Sequence, residues 1–486
     1  MEAAPPRRQA QRTLASRDPG YDRGVLRRLA PLALCAALIT PGDARATGEG
    51  LRYVVRSDAP LTRLDVEVCF EGPPPPALVP GVEAAGRALV EARDASGRSL
   101  DISRGRIELA GIAPGSCIDY RVDLDVALGA SRLSDRFGGA VFLSAGAWLF
   151  RPAQLPPSGA TLRFALPEGL RAAAPWPLAC GWHRLGASAF TRPSFLALGR
   201  FATTTLTRRG VELTAVRLGD GWAIDDAGVE RWLARTIDGV GDVQGRFPVE
   251  RVLIVLVPAP GAGVHFGMVR RGGGPSVAFL ASTASTADDL TRSWVPWHEL
   301  SHLHLPQMRQ RDAWLYEGLA TYYQEVLRAR AGVQSPAEAW AELTDGFTRG
   351  ARRRGTGAAL ATEAAEMGRT GAYQRVYWAG TAFALHADVA LRMRRSSLDR
   401  ALAEGARVWR GSDRVWTSEE ITALWDRRLE RAVLRPLSER WAARVEFPST
   451  APLLRRLGVH DDGLRGAELS AVRDGIMALP PRAPRD

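Results

Sequence analysis

The sequence contains no lysine, so each of its 64 basic residues is an arginine. Together with the abundance of alanine, glycine and proline, this composition indicates a coding bias more than a functional basic patch. The formal net charge of +11 is therefore weak evidence for a nucleic-acid partner. We interpret the arginine run at residues 352–354 as a solvated surface, and the sequence predicts no binding of nucleic acid.

Long apolar runs are also absent, because no stretch of eighteen apolar residues occurs that could form a membrane-spanning helix. A shorter apolar run at residues 29–39 is preceded by arginines and followed by Ala-Arg-Ala at residues 44–46. This order is typical of a secretory signal peptide with its cleavage site. We therefore predict that residues 1–46 are a signal peptide and that the protein is secreted or periplasmic. A membrane anchor is expected only if the signal stays uncleaved.

Cysteine is scarce, with four residues in the whole chain. Cys35 lies inside the predicted signal, which leaves Cys69, Cys117 and Cys180, and none of these has the C-x-x-C spacing of a cysteine zinc site. A disulfide between Cys69 and Cys117 fits an oxidising compartment, since both lie in strand-like sequence. Three pairings are open, as is the alternative that all three residues are buried thiols.

A chain of 486 residues predicts two or three domains, and the local pattern changes along it. Alternating apolar and polar residues, as at 61–70 and 118–124, predict strands before residue 206, whereas helical spacing dominates from residue 336. We therefore predict an α+β multidomain protein. Its expected parts are the signal peptide (1–46), an N-terminal antiparallel β-sandwich (47–206), an α/β catalytic domain (207–332), a helical region (333–446) and a short C-terminal extension (447–486) with a disordered tail.

Within the central part, residues 225–240 predict an amphipathic helix, and residues 249–257 and 276–281 predict buried strands. The glycine-rich segment 261–274 is expected to be a flexible turn placed where a substrate could be gripped. The strand at 276–281 is expected to pair with an extended peptide, a recognition mode that protease clefts commonly use.

Histidine occurs only seven times, which makes His298-Glu299-Leu300-Ser301-His302 improbable as a chance event. On a helix, histidines at i and i+4 share a face, so both imidazoles can bind one ion while Glu299 points beside it. Glu317 follows His302 by fifteen residues, on a second predicted helix. A catalytic zinc needs three protein ligands and one open position. The sequence thus predicts one zinc ion per chain, held by His298, His302 and Glu317.

Two further segments, Glu317-Gly318-Leu319-Ala320-Thr321-Tyr322-Tyr323 and Val376-Tyr377-Trp378-Ala379-Gly380, complete a resemblance to the gluzincin zinc metallopeptidases of the M1 and M61 families. The M61 glycyl aminopeptidases are the nearer type, and the resemblance covers residues 50–445. It implies a thermolysin-like α/β catalytic domain between an N-terminal β-domain and a helical region. It also implies that Tyr377, which matches the tyrosine of a Y-x-x-G segment, stabilises the oxyanion. After residue 460 we expect no PDZ domain of the kind that many M61 members carry.

The resulting hypothesis is an exported zinc-dependent peptidase that acts on peptides or proteins, with Glu299 as the general base. M1 enzymes hold the free amine of a substrate with an acid in a glycine-rich loop, but segment 261–274 offers no carboxylate. Aminopeptidase and endopeptidase action are therefore both open, as is the oligomeric state. The alternative is a non-catalytic module that retains the peptidase fold to bind peptides or proteins, and the intact Glu299 argues against it.

Three histidines outside the motif are weaker candidates for the site. His183 is expected to be structural, and His304, two residues after His302, is expected to project to another face of the helix. His386, nine residues after Tyr377, is a minor candidate for the cleft.

Overall fold

The computed structural model describes residues 50–156 and 159–479 of the chain. The predicted signal peptide, residues 1–46, and the predicted disordered tail, residues 480–486, lie outside the described residues. Both stay predictions. Among the helices that are described, none is both long enough and apolar enough to cross a membrane.

From residue 51 to residue 199 the chain is built mainly from short strands. The strands are β1 Leu51–Ser57, β2 Arg63–Phe70, β3 Ala77–Val79, β4 Leu89–Asp94, β5 Ile102–Ser103, β6 Arg106–Glu108, β7 Cys117–Asp123, β8 Asp135–Phe137, β9 Ala140–Leu143, β10 Arg151–Pro152, β11 Ala160–Phe164, β12 Arg171–Ala173, β13 Leu178–Ala179, β14 Trp182–Leu185 and β15 Leu196–Gly199. Two short helices, α1 Leu124–Leu128 and α2 Ala187–Thr191, interrupt them.

These strands form three sheets that share one apolar core. A seven-stranded sheet has the order β13-β14-β11-β1-β2-β7-β4, and two four-stranded sheets have the orders β10-β3-β6-β5 and β12-β15-β9-β8. In β2, Leu64, Val66 and Val68 point inward and are fully buried, while Asp65 and Glu67 between them are partly exposed. The described residues between 50 and 206 are strand-rich, which agrees with the predicted β-structure, but their sheets are not purely antiparallel, because β1 pairs with β11 in parallel.

A disulfide joins two neighbouring strands of the seven-stranded sheet. β2 and β7 pair antiparallel, and Cys69 lies directly opposite Cys117 in their register. The two cysteines are bonded to each other across a sequence separation of 48 residues. Closing a loop of that length stabilises the folded chain by about 4 kcal/mol in the chain-entropy account. Of the pairings that the sequence left open, the structure contains this one.

A five-stranded sheet follows, made of β16 Ala202–Arg208, β17 Val211–Arg217, β18 Arg251–Pro258, β19 Val264–Arg270 and β20 Ser276–Ala281. Its order is β16-β17-β18-β20-β19, with the three central strands parallel and the two outer strands antiparallel to their neighbours. The predicted helix is present as α3 Asp226–Asp242, and the two predicted strands are β18 and β20. β16 crosses the boundary that the sequence suggested at residue 207.

Two expectations about this sheet are wrong. The segment 261–274 is not a flexible turn throughout, because its central part forms the edge strand β19. β19 passes close to the helix that carries Glu299. A Cβ at position 267 would lie 2.4 Å from Cγ of Glu299, which explains why a glycine occurs inside the strand. The strand at 276–281 is not free to pair with a peptide, because β20 has β18 on one side and β19 on the other.

After β20 the described chain is almost wholly helical. The helices are α4 Ala287–Arg292, α5 Trp294–Ser301, α6 Ala313–Arg330, α7 Pro336–Arg352, α8 Leu360–Thr370, α9 Tyr373–Arg392, α10 Leu398–Trp409, α11 Ser418–Leu429, α12 Leu434–Ala442, α13 Ala451–Leu457 and α14 Ser470–Met477, and the strands β21 Val459–His460 and β22 Gly463–Leu464 pair before the last. One apolar core, with Trp232, Trp297 and Trp314 fully buried in it, joins one face of the five-stranded sheet to these helices. It holds α5 against β19 on one side and against α6 on the other.

Candidate metal centre and cleft

The predicted metal-binding histidines lie on α5 and on the single 3-10 turn that follows it, His302–His304. His298 and His302 are one helical turn apart, and their ring centroids are 4.7 Å from each other. Both residues are buried. Pro296 is tolerated because it sits in the first turn, where the backbone N–H groups have no partner within the helix. The helix therefore presents two imidazoles to one point, as its sequence predicts.

Helix α6 brings Glu317 to the same point. Its Oε2 atom lies 3.4 Å from Nε2 of His298 and 3.4 Å from Nε2 of His302. Ligand atoms bound to zinc at about 2.0–2.1 Å in a tetrahedron are about 3.4 Å apart. The carboxylate oxygen is thus separated from each of the two histidine nitrogens by the distance between two corners of a zinc tetrahedron.

The electrostatics of Glu317 also fit a cation. Burial alone would raise the pKa of Glu317, but His302 and His298 outweigh it and hold the pKa well below its usual range. Within the described part of the chain, Oε2 accepts no hydrogen bond. A buried, ionised carboxylate oxygen without a donor requires a positive partner, and two imidazoles with one carboxylate form a donor set that zinc accepts. The residues present therefore fit zinc.

Glu299 lies next to this point, with a carboxylate oxygen within 4.8 Å of the histidine nitrogens. Burial raises the pKa of Glu299, and the charges of His302 and His298 together with the backbone N–H of Val269 lower it only in part. A carboxyl group with a raised pKa is suited to taking up a proton and returning it near neutral pH. On the side away from the histidines, Glu299 contacts the edge strand β19 at Gly267.

A hydrogen-bond chain along α6 orients His298, and the sequence did not reveal it. Nδ1 of His298 is 2.9 Å from Oε1 of Gln324, so Nδ1 carries the proton and Nε2 is left to bind a metal. Nε2 of Gln324 in turn donates to Glu325 at 2.9 Å, and Arg328 donates to the other oxygen of Glu325 at 3.0 Å. Gln324 is seven residues after Glu317, two helical turns along the same face. This spacing is the only feature of the sequence that places Gln324 on the same face of α6 as Glu317.

Replacing Gln324 by leucine is expected to lower the affinity for zinc about 10- to 100-fold, the usual cost of losing a group that orients a ligand histidine. The change removes the acceptor that fixes the His298 ring, and competition with a chromogenic chelator measures the effect. Gln334→Leu is the matched control, because Gln334 donates to Glu325 and not to a metal-binding histidine. Equal affinities of the two variants would contradict an orienting role for Gln324.

His302 is held by an aromatic ring instead. Its imidazole stacks on Tyr316 with ring centroids 4.0 Å apart and planes 14° from parallel. Arg271, next to Tyr316, donates to the backbone oxygens of His302 at 2.7 Å and of Leu305 at 2.9 Å. These carbonyls lie at the C-terminal end of α5, where a cation complements the helix dipole. The end of the metal-binding helix is thereby fixed to the strand side of the cleft.

Tyr377 reaches the site through a close crossing of α6 and α9. A Cβ on Gly318 would lie 2.2 Å from the backbone of Gly380, and a Cβ on Gly380 would lie 1.8 Å from the backbone oxygen of Trp314. Only glycine at both positions allows this approach, which places Tyr377 beside the ring of His298, with centroids 6.1 Å apart. Burial and the charges of Glu317 and Glu299 raise the pKa of the Tyr377 phenol. The hydroxyl is therefore protonated and able to donate.

The three candidate metal ligands, the general-base candidate Glu299 and Tyr377 all line one cleft of about 670 Å³. One wall is β19, whose residues His265, Met268 and Arg270 line it, and the opposite wall is formed by the start of α6 and by α9. Glu299 and Glu317 are the only acids among the described residues that line the cleft. A size of this order accommodates several residues of an extended peptide.

Three other histidines considered from the sequence, His183, His304 and His386, do not line this cleft. His183 sits between Trp176 and Phe164, with its Nδ1 3.1 Å from the backbone oxygen of Trp176. His386 packs on Trp441 at 5.1 Å and does not line the cleft. His304 is buried beside Tyr323, and neither of its ring nitrogens has a hydrogen-bond partner in the described structure. Burial lowers the pKa of His304 to about 3.

His304 is expected to make the protein sensitive to acid. The unfolded imidazole takes up a proton below its usual pKa of about 6.5, whereas the folded one stays neutral until about pH 3, so stability falls with pH across that window. Replacing His304 by phenylalanine should remove about 2 kcal/mol of the stability lost between pH 7.5 and pH 5. Urea unfolding of the metal-free proteins at both pH values measures it. An unchanged loss in the variant would rule out this role.

Comparison with known proteins agrees with the site. The family model of the M61 glycyl aminopeptidases matches residues 298–382. Among solved structures, an aminopeptidase N family protein from Idiomarina loihiensis superposes with a TM-score of 0.65 at 18% identity, covering 84% of this chain and 78% of that one. An M1 zinc metallopeptidase from Deinococcus radiodurans has a TM-score of 0.50 at 18% identity, covering 82% and 94%. No curated protein matches the chain by sequence.

The matched segment contains the three motifs from which the resemblance was predicted. It begins at His298, includes Glu317 and ends two residues after Gly380. The solved structures share the fold of nearly the whole described chain, although their identity is low. The predicted resemblance to the M61 and M1 zinc metallopeptidases is confirmed.

Proposed function

We propose that the chain, a zinc metallopeptidase similar to the M61 and M1 enzymes, is exported and hydrolyses peptide bonds with Glu299 as general base. The observation that carries this proposal is the position of Glu299 in the same cleft as Glu317, whose carboxylate oxygen lies 3.4 Å from Nε2 of both His298 and His302. The five-stranded sheet with α5 and α6 would form the thermolysin-like catalytic unit, with one zinc ion per chain. The Cys69–Cys117 disulfide supports export, since such bonds persist in oxidising compartments.

In this mechanism His298, His302 and Glu317 would hold the zinc. Zinc at such a donor set supplies Lewis acidity, which acidifies water and polarises a carbonyl. Glu299 takes the proton of the attacking water and later passes it to the departing amine, for which its raised pKa is suited. The Tyr377 hydroxyl donates to the carbonyl oxygen as negative charge develops on it.

The substrate would bind along the outer edge of β19. β20 occupies the inner edge of this strand, and no described strand pairs with its outer edge, which faces the cleft. An extended peptide can add to such an edge through backbone hydrogen bonds. Since β19 passes Glu299 at Gly267, a peptide paired there would have its backbone next to the general base.

We further propose that cleavage does not require a free amino terminus. A cleft usually holds a free amine with an acid. The two described acids in this cleft, Glu299 and Glu317, already serve as the general base and as a zinc ligand in the proposed mechanism. Acetylated and free peptides of the same sequence should therefore be cut at similar rates. If acetylation abolishes turnover, the protein is an aminopeptidase despite the composition of its cleft.

The proposed function is tested on a defined mixture of peptides, with new termini identified by mass spectrometry. The zinc-loaded protein should cut them, chelation should stop cleavage, and one equivalent of zinc should restore it. A protein that binds peptides without cutting any of them, although it holds zinc, would be the non-catalytic module instead.

A further inference from the structure

The lining of the cleft carries an excess of positive charge. It includes four arginines, and the only described acids there are Glu299 and Glu317. Two of the arginines already have partners. Arg271 donates to the backbone oxygens at the end of α5, and Arg192 contacts both the carboxylate and the backbone oxygen of Asp413. The remaining two, Arg270 and Arg309, are the arginines of the lining that are available to bind an anionic group of a substrate.

Arg270 is a partly buried cation on the edge strand, with no anionic partner among the described residues. It is the last residue of β19, and its guanidinium lies 6.0 Å from the ring centroid of Phe195. In the described part of the chain no residue accepts a hydrogen bond from it or forms an ion pair with it. Burial lowers its pKa, and the charges of Tyr316 and Glu299 raise it only in part. A guanidinium in this setting favours a carboxylate, which it can bind through two parallel hydrogen bonds.

The position of Arg270 on β19 indicates how far it lies from the peptide bond that would be cut. It follows Gly267, the residue beside Glu299, by three positions on the strand. At a rise of about 3.3 Å per residue, its Cα lies about 10 Å along the strand from that point. A peptide paired with β19 would therefore pass Arg270 within about three residues of its scissile bond. Arg309, exposed at the rim before α6, adds a second cation whose side chain has no partner among the described residues.

We propose that Arg270 forms a subsite for a carboxylate of the substrate, carried by an aspartate or glutamate side chain or by the C-terminus of the peptide, and that Arg309 adds positive charge at the rim of the same cleft. This inference rests on the proposed peptidase function, because it specifies the substrate of the same cleft. It makes peptides that carry a carboxylate within about three residues of the scissile bond, on a side chain or at the C-terminus, the preferred substrate class. Phe195 supports the subsite, since its ring lies beside the guanidinium of Arg270.

Binding is measured in the zinc-loaded Glu299→Gln variant, which separates recognition from turnover. The probes are fluorescent peptides with glutamate or glutamine at one position, scanned over three residues on each side of the cut site, as free acids and as C-terminal amides. At one position, or at the C-terminus, the carboxylate should tighten binding about 10- to 100-fold. Preference for a glutamate identifies a side-chain subsite, and preference for the free acid over the amide identifies a terminal one.

Adding Arg270→Gln should abolish this preference. Arg231→Gln, which removes the same charge from an exposed position on α3, should leave it intact. The inference is overturned if no carboxylate tightens binding, or if the preference survives Arg270→Gln. Wild-type turnover of the glutamine peptides is scored separately. Cleavage without preference refutes the subsite and leaves the peptidase, whereas acid-dependent binding without any cleavage supports the subsite and refutes the peptidase.

Discussion

The Glu299→Gln variant is expected to lose peptide hydrolysis by on the order of 10³- to 10⁴-fold in kcat while it keeps its zinc. Glutamine has the size of glutamate, so it fits the space between α5 and Gly267, but its amide cannot accept the proton of water. The side chain that receives this proton is also the one that returns it to the leaving amine. A single substitution therefore removes two proton transfers, which is why the loss should approach the upper end of general acid–base effects.

The measurement is kcat on an internally quenched peptide, with the zinc content of each preparation determined by mass spectrometry. Glu342→Gln on the exposed face of α7 is the matched control, and its rate should stay within about two-fold of wild type because surface changes of this kind have small effects. A Glu299→Gln protein that holds one zinc ion and retains its turnover would exclude Glu299 as the base. Loss of the zinc as well would mean that Glu299 acts in metal binding.

The close approach of His298, His302 and Glu317 could be predicted from sequence because it depends mostly on local geometry. His298 and His302 share a helix face through a spacing of four residues, and this depends only on the pitch of α5. To place Glu317 near the histidines, one must also assume that a short loop lets the two helices pack against each other. The structure shows this packing, since Glu317 lies 3.4 Å from both histidines. Tyr377 was found through the motif alone, and the structure supplies a physical reason in the glycine crossing of α6 with α9.

Features that depend on contacts between distant segments could not be predicted in this way. The glycines at residues 261–274 were interpreted as turn residues, but Gly267 is there because a side chain would collide with Glu299. Whether a strand is central or at the edge depends on the pairing of the whole sheet, so β20 was mistaken for the edge in place of β19. Likewise, the role of Gln324 follows from its contact with His298, which no pattern in α6 specifies by itself.

Replacing Tyr377 by phenylalanine is expected to lower kcat about 100- to 1000-fold, equivalent to about 3–4 kcal/mol of transition-state stabilisation. The variant keeps the ring that lies beside His298 and loses only the hydroxyl, so zinc content and folding should be unchanged. KM should change little, because the carbonyl oxygen gains negative charge only after the substrate has bound. Steady-state kinetics on the same quenched peptide separate kcat from KM.

The neighbouring Tyr373 provides a matched control for this variant. It also lines the cleft, one helical turn before Tyr377 on α9, and its ring lies 6.3 Å from that of Tyr377. Tyr373→Phe should change kcat less than about three-fold, since its hydroxyl lies beside Gly368 of α8, where a Cβ would be 3.6 Å from it. Equal losses in the two variants would indicate a general disturbance of α9. A Tyr377→Phe protein with a normal kcat would leave the zinc as the only group in the cleft that stabilises the oxyanion.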